Sequence, residues 1–256
     1  MKKTAHTTSW ASASQWYDSI VGQKGHFYHT EVIIPNTLRL LDLHANDRLL
    51  DIGCGQGVFS RHLPKQVAYI GMDIASPLLH KAKQYGPSHT FIQADVTKPW
   101  PAIDLCTHAV CILALQNMEN PENVFSELAK VLAPGGRAVI VLNHPCFRIP
   151  RQSQWGYDEA SKRQMRQIFS YLSSQKIPIT TNPGKSSQTT WSFHYPLSYY
   201  THLFHKSGFV IELIEEWCSP KESVGPTARA ENRARKEFPL FMAISLFLPP
   251  LKKMIE

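Results

Sequence analysis

Residues 49–60 read Leu-Leu-Asp-Ile-Gly-Cys-Gly-Gln-Gly-Val-Phe-Ser. An apolar strand closing on Ile52 runs into glycines at alternate positions, Gly53, Gly55 and Gly57. The spacing of Val58, Phe59, His62 and Leu63 then predicts a helix. Glycines at such a junction let the chain turn without a Cβ and let a ligand lie directly against main-chain N–H groups. Asp51 sets a carboxylate beside the turn, which suits a cationic ligand and not a pyrophosphate. Asp73 lies 20 residues after Gly53 at the end of a second apolar stretch, the position from which an acidic residue holds ribose hydroxyls. That residue serves NAD and other nucleoside ligands alike, but residues 53–58 do not fit the Gly-x-Gly-x-x-Gly spacing of a dinucleotide fold.

On these residues the chain resembles the class I S-adenosylmethionine (SAM) methyltransferases, whose first motif reads Asp/Glu-x-Gly-x-Gly-x-Gly. The resemblance implies an α/β fold: a doubly wound, seven-stranded, mostly parallel sheet whose seventh strand runs antiparallel between the fifth and sixth. It implies S-adenosyl-L-methionine as cofactor, held by Asp51, Gly53, Gly55 and Gly57, with Asp73 and Ile74 at the ribose. Asp95 would accept from the adenine amino group, Val96 would cover the ring, and the backbone at Cys111 would meet the methionine part. Leu-x-Pro-Gly-Gly-Arg at 132–137 is a further family feature, a tight turn returning the chain to the sheet. The likeness covers residues 47–143 and, with fewer motifs, 196–248.

The rest of the chain fits one methyltransferase domain over 1–256, a length that buries a large core. Residues 9–45 carry two amphipathic stretches that read as a helical cover, 47–143 form the SAM-binding half, and 196–248 complete the sheet. Strands are expected at Thr90–Gln93, Leu105–Ile112, Ala138–Leu142, Phe209–Ile214 and Phe238–Leu248. Asn120-Pro121-Glu122 opens a helix with Asn120 as its cap, and Pro134-Gly135-Gly136 closes it. Residues 144–195 are an insertion after the fifth strand and read as a lid. Within it Ile177–Thr180 and Thr189–Phe193 are set to pair about an Asn182-Pro183-Gly184 turn.

Composition excludes several classes. With 43% hydrophobic and 18% charged residues the chain is globular rather than disordered. No apolar run reaches membrane-spanning length, and the basic start lacks the apolar segment of a signal peptide. The five cysteines show no Cys-x-x-Cys pairing, which argues against a metal site and for a reduced, cytoplasmic setting. The formal charge of +7 is concentrated in the insertion, where seven basic residues face two acidic ones. Such a cluster is either a solvated surface or a face turned to something anionic.

Methyl transfer from a sulfonium is an in-line displacement in which positioning supplies much of the rate, so a catalytic residue need leave no motif. His144, at the predicted end of the fifth strand, is the candidate general base. Arg148 and Arg151 follow it and suit a carboxylate or phosphate clamp. Tyr17, Tyr28 and His29 in the helical cover are candidates to close over SAM or the acceptor. The fourth strand lacks the Asn/Asp-Pro-Pro-Tyr/Phe tetrapeptide of enzymes that methylate base or amide nitrogens, and Cys146 lacks the second Pro-Cys of RNA cytosine-C5 enzymes. The expected acceptor is a small or lipid-like molecule bearing an anionic group, with an RNA methyltransferase or a non-catalytic SAM-binding protein as alternatives.

Overall fold

A computed structural model describes residues 10–181, 184 and 187–250. Its centre is a sheet of seven strands: β1 (Arg48–Ile52), β2 (Ala68–Asp73), β3 (Thr90–Gln93), β4 (Cys106–Ile112), β5 (Leu132–Asn143), β10 (Val210–Trp217) and β11 (Phe241–Phe247). They lie in the order β3-β2-β1-β4-β5-β11-β10; β11 is antiparallel to both neighbours and the remaining pairs are parallel. Both faces of the central strands are covered, so β4, β5 and β11 are largely apolar while their side chains still alternate. Leu50 and Ile52 of β1 face a core completed by α4 (Glu122–Val131) and α5 (Leu197–Lys206), where Phe125 meets Phe204 edge to face at 4.8 Å. Leu49 faces the other core, built with α2 (Ile34–Leu41) and α3 (Ser76–Tyr85) through Ile34, Leu41, Leu79 and Ala82. A further helix, α6 (Ala228–Glu237), precedes β11.

Several local expectations change. The helix expected after the glycines is one 3₁₀ turn, Phe59–His62, because Leu63 must be extended before Pro64. Asn120 does not cap α4: Pro121 holds the cap position, no side chain caps it, and the Pro121 carbonyl accepts from Val124 N–H at 3.1 Å. Pro134-Gly135-Gly136 does not separate helix from strand, since β5 runs through it as an irregular stretch. Gly135 there is left-handed at φ 84° and its N–H donates to Leu248 O at 2.8 Å.

The amino-terminal cover consists of α1 (Ser14–Val21), a π-helical turn at His29–Ile33 and α2. Helix α1 is tied down by an Asp18–Lys81 ion pair at 3.4 Å and by Gln56 Nε2 donating to Gly22 O at 2.9 Å. The insertion holds two hairpins: β6 (Ser153–Asp158) with β7 (Arg163–Ile168), and β8 (Gln175–Thr181) with β9 (Gln188–His194). The second has the anticipated pairing, with Ile177 opposite Ser192 and Thr180 opposite Thr189; its Asn182-Pro183 turn lies outside the described residues. Among the described residues no helix is long and apolar enough to cross a membrane.

Candidate functional site

Strand order reverses between β1 and β4, and in open parallel sheets the crevice beyond the carboxyl ends at such a point receives ligands. A cavity of about 350 Å³ occupies that crevice. One end is formed by Gly53, Gly55, Asp73, Ile74, Asp95 and Val96, and the other by the segment after β4, the end of β5 and the second hairpin.

The glycine turn is shaped by one close approach and one open face. Gly53 has φ 75° and its N–H donates to Met72 O at 2.8 Å; a Cβ there would stand 2.5 Å from that of Ala114. Ala114 reaches that spot because Leu113, just before it, is itself left-handed at φ 52°. This is a strained conformation for a non-glycine residue, of the kind that clusters at ligand sites. Gly55, at φ 56°, faces the cavity, where a Cβ would meet only the Tyr17 phenol at 3.8 Å.

Asp73 fastens this turn to β2. Its Oδ2 accepts from Gly55 N–H at 2.9 Å and its Oδ1 from Ala75 N–H at 2.8 Å. Burial raises its pKa, and these two backbone bonds oppose the rise. Asp95 closes a small turn, its Oδ1 accepting from Thr97 N–H at 3.0 Å and from the Thr97 hydroxyl at 2.7 Å. From the cover, Trp10, Tyr17 and His29 reach the same cavity. His29 Nδ1 accepts from His26 N–H at 3.3 Å, which leaves the proton on Nε2. Burial, with His26 and His62 nearby, pushes its pKa down to about 4, so the ring is neutral.

Asp51 lies beneath the turn, 2% exposed, with the Tyr69 hydroxyl donating to its Oδ2 at 2.7 Å. Burial pushes its pKa up to about 7, partly offset by the Tyr69 bond. The unfolded chain releases this proton near pH 4, while the folded chain keeps it to about 7. Asp51 therefore costs no stability below about pH 4, and the cost grows as pH rises to about 7, to at most about 4 kcal/mol. Between pH 4.5 and 7.5 the urea midpoint of Asp51→Asn should fall less than that of the unaltered protein. Parallel profiles would show that Asp51 is not the group responsible.

The methyltransferase domain family profile matches residues 25–214, three quarters of the chain. The chain belongs to this family. Its fold is that of the SAM-dependent methyltransferases: a SAM-dependent methyltransferase of Mesorhizobium loti superposes with a TM-score of 0.65 at 24% identity, over 83% of this chain and 96% of that one. The ubiquinone biosynthesis O-methyltransferase of Erwinia tasmaniensis is 28% identical over 139 residues, 49% of this chain and 54% of that protein. The malonyl-[acyl-carrier protein] O-methyltransferase of Serratia marcescens is 31% identical over 97 residues, 36% and 37% of the two chains. The chain spans about half the length or less of these two curated relatives.

Within this methyltransferase domain the residues named from sequence divide into two groups. Gly53, Gly55, Asp73, Ile74, Asp95, Val96, Tyr17 and His29 surround the cavity. Asp51, Gly57, Cys111, Tyr28, His144, Arg148 and Arg151 do not line it. Gly57 packs under the turn, where a Cβ would lie 3.1 Å from Phe91 and 3.3 Å from Ala82. Cys111 is fully buried in the core, and the Tyr28 hydroxyl pairs with Ser219 Oγ at 3.1 Å.

His144 has both ring nitrogens engaged: Nδ1 accepts from Cys146 and Phe147 N–H, each at 3.2 Å, and Nε2 donates to Glu216 Oε1 at 2.6 Å. It is a buried corner residue that turns the chain out of β5, not a base open to the cavity. That turn carries Arg148 into a small recess beside His144, which shares Gln116, Asn143, Pro150 and Ser192 with the cavity, and leaves Arg151 exposed and left-handed at φ 60°. Sequence reading missed Trp10, Leu113, Gln116, Asn117, Asn143, Pro150 and Ser192, which the fold gathers around the cavity from five segments with no shared spacing.

Proposed function

We propose that this protein transfers the methyl group of SAM to a small-molecule acceptor. The observation carrying this reading is the continuous cavity that joins the glycine turn, Asp73 and Asp95 to a neutral polar wall beyond β4 and β5. Its first end fits SAM. Gly55 leaves open the space a side chain would fill, Asp73 offers a carboxylate to ribose hydroxyls, and Asp95 keeps Oδ2 for an amino group. Trp10, at the same cavity, has a buried Nε1–H with no partner among the described residues, a donor awaiting a ligand acceptor. When bound, SAM supplies an electrophilic methyl group on a positive sulfur.

The chain's own work is then placement. Tyr17, 3.8 Å from where a Gly55 side chain would begin, covers the turn and excludes water there. His29, neutral with its proton on Nε2, serves as a hydrogen-bond donor. Holding two reactants in line supplies roughly 7–11 kcal/mol of barrier reduction, so no general base is required of His144.

A small acceptor is favoured over RNA because three of the insertion's seven cations are engaged within the fold. Arg166 Nε donates to Phe147 O at 2.7 Å and its guanidinium sits 5.1 Å over Trp155; Lys176 pairs with Glu119 at 3.0 Å and Lys162 with Glu159 at 2.9 Å. The name of one curated relative, of ubiquinone biosynthesis, supports a small or lipid-like acceptor.

With methyl-labelled SAM and a cell extract divided into metabolites and macromolecules, the metabolite fraction should take the label. Label confined to tRNA, with affinity that falls steeply as salt rises, would replace this reading with the RNA one. Tight SAM binding with no labelled product in either fraction would leave a non-catalytic binder.

A further inference from the structure

The acceptor end of the cavity has a chemistry of its own. No lysine or arginine lines it among the described residues, and the only charged side chains around the cavity, Asp73 and Asp95, stand at the other end and are acidic. The polar groups facing the acceptor end are neutral: the carboxamides of Gln116, Asn117 and Asn143 and the hydroxyl of Ser192.

These groups are pinned to different degrees. Gln116 Oε1 accepts from Asn143 N–H at 3.4 Å, joining the turn after β4 to the end of β5 and leaving the Gln116 amino group unspent. Asn117 Nδ2 donates to Leu113 O at 3.2 Å, and Ser192 Oγ to Gln116 O at 3.4 Å. The Asn143 carboxamide makes no hydrogen bond among the described residues, although its backbone is held between Gln116 and the β11 register at Phe241. Leu113, Pro150 and Ile179 supply apolar surface beside it.

We infer that Gln116 and Asn143 form the acceptor-recognition pair and select a neutral, hydroxyl-bearing molecule, resting on the small-molecule methyltransferase reading above. An amide pair offers donors and an acceptor side by side. A hydroxyl accepts from Gln116 Nε2 and donates to Asn143 Oδ1, satisfying both. A carboxylate only accepts, so it would use both amides as donors and carry its charge into a lining that offers no lysine or arginine. The arginine clamp expected from sequence is thereby replaced by an uncharged site, and the anionic group expected of the acceptor has no counter-charge in the cavity lining.

The test separates extract metabolites into neutral and anionic pools on an anion exchanger at pH 7 before reaction with methyl-labelled SAM. The neutral pool should take the label. Gln116→Glu keeps the oxygen that holds Asn143 N–H but replaces the amino group, and Asn143→Ala removes the second amide. Each should cut incorporation roughly tenfold, the scale of one lost hydrogen bond, while S-adenosylhomocysteine affinity stays within about threefold and the melting temperature is kept. Label in the anionic pool alone overturns the inference, as does full activity in both variants or activity that is lost in Arg148→Ala instead. No label in either pool sinks the small-molecule reading itself, and this inference with it.

Discussion

Gly53→Ala should all but abolish binding of S-adenosylhomocysteine, weakening it by more than about a hundredfold in calorimetry. Two costs meet at this position. The backbone is left-handed at φ 75°, which charges an L side chain roughly 1–2 kcal/mol. The new methyl would also lie 2.5 Å from the Ala114 Cβ, an overpacking of about 1–3 kcal/mol. The turn can relieve this only by moving away from Ala114, and that carries Gly55 and its bond to Asp73 with it. The melting temperature should fall by roughly 5–15 °C at a few degrees per kcal/mol for a chain of this size. Pairing the change with Ala114→Gly removes the collision and leaves the backbone strain, so about half of the lost stability should return. A Gly53→Ala protein that binds and melts like the parent would show that this turn does not hold the ligand.

Asp73→Ala should weaken the same ligand about a hundredfold, and Asp73→Asn about tenfold. Alanine abandons two backbone donors, Gly55 N–H and Ala75 N–H, whereas asparagine keeps one oxygen for one of them. Each charge-assisted bond is worth roughly 1.5–3 kcal/mol, and the ribose contacts we assign to this carboxylate go with it. The graded loss is the informative part. A carboxylate that only braced the loop would show in thermal melting as strongly as in ligand affinity, while one that also touches the ribose should cost more in affinity than in stability. Affinity within threefold of the parent in Asp73→Ala would remove Asp73 from the site.

Strands and the position of the glycine turn were readable from sequence because they follow from local patterns, whereas the order of the sheet came with the family resemblance. Continuous apolar runs mark buried parallel strands, and alternate glycines mark a turn with no room for Cβ atoms. Local rules failed where neighbours in space decided the outcome. The helix after Gly57 was cut to one turn by Pro64, and the Pro134-Gly135-Gly136 stretch was drawn into β5 by Leu248, more than a hundred residues away. The site shows the same division. Gly53, Gly55, Asp73, Asp95 and Val96 follow strand ends at regular intervals and could be named. Gln116 and Asn143 come together only because β4 and β5 are adjacent, and nothing in either segment announces a binding residue. Arg148 and Arg151 stand outside the cavity lining for the converse reason: closeness to the end of β5 along the chain is undone by the turn built on His144 and Glu216.

Leu113 is bound up with more than the shape of one turn. Its left-handed backbone sets Ala114 against Gly53, and the same segment continues into Gln116 and Asn117 at the acceptor end. On the proposed reading the two reactants meet across residues 113–117, a span of five residues that touches both ends of the cavity. A shift of that span to admit a bulkier acceptor would press on the glycine turn, so the range of molecules this protein modifies is bounded from the cofactor side. Redesign for a larger substrate should begin at Pro150 and Ile179, walls that lie outside that span.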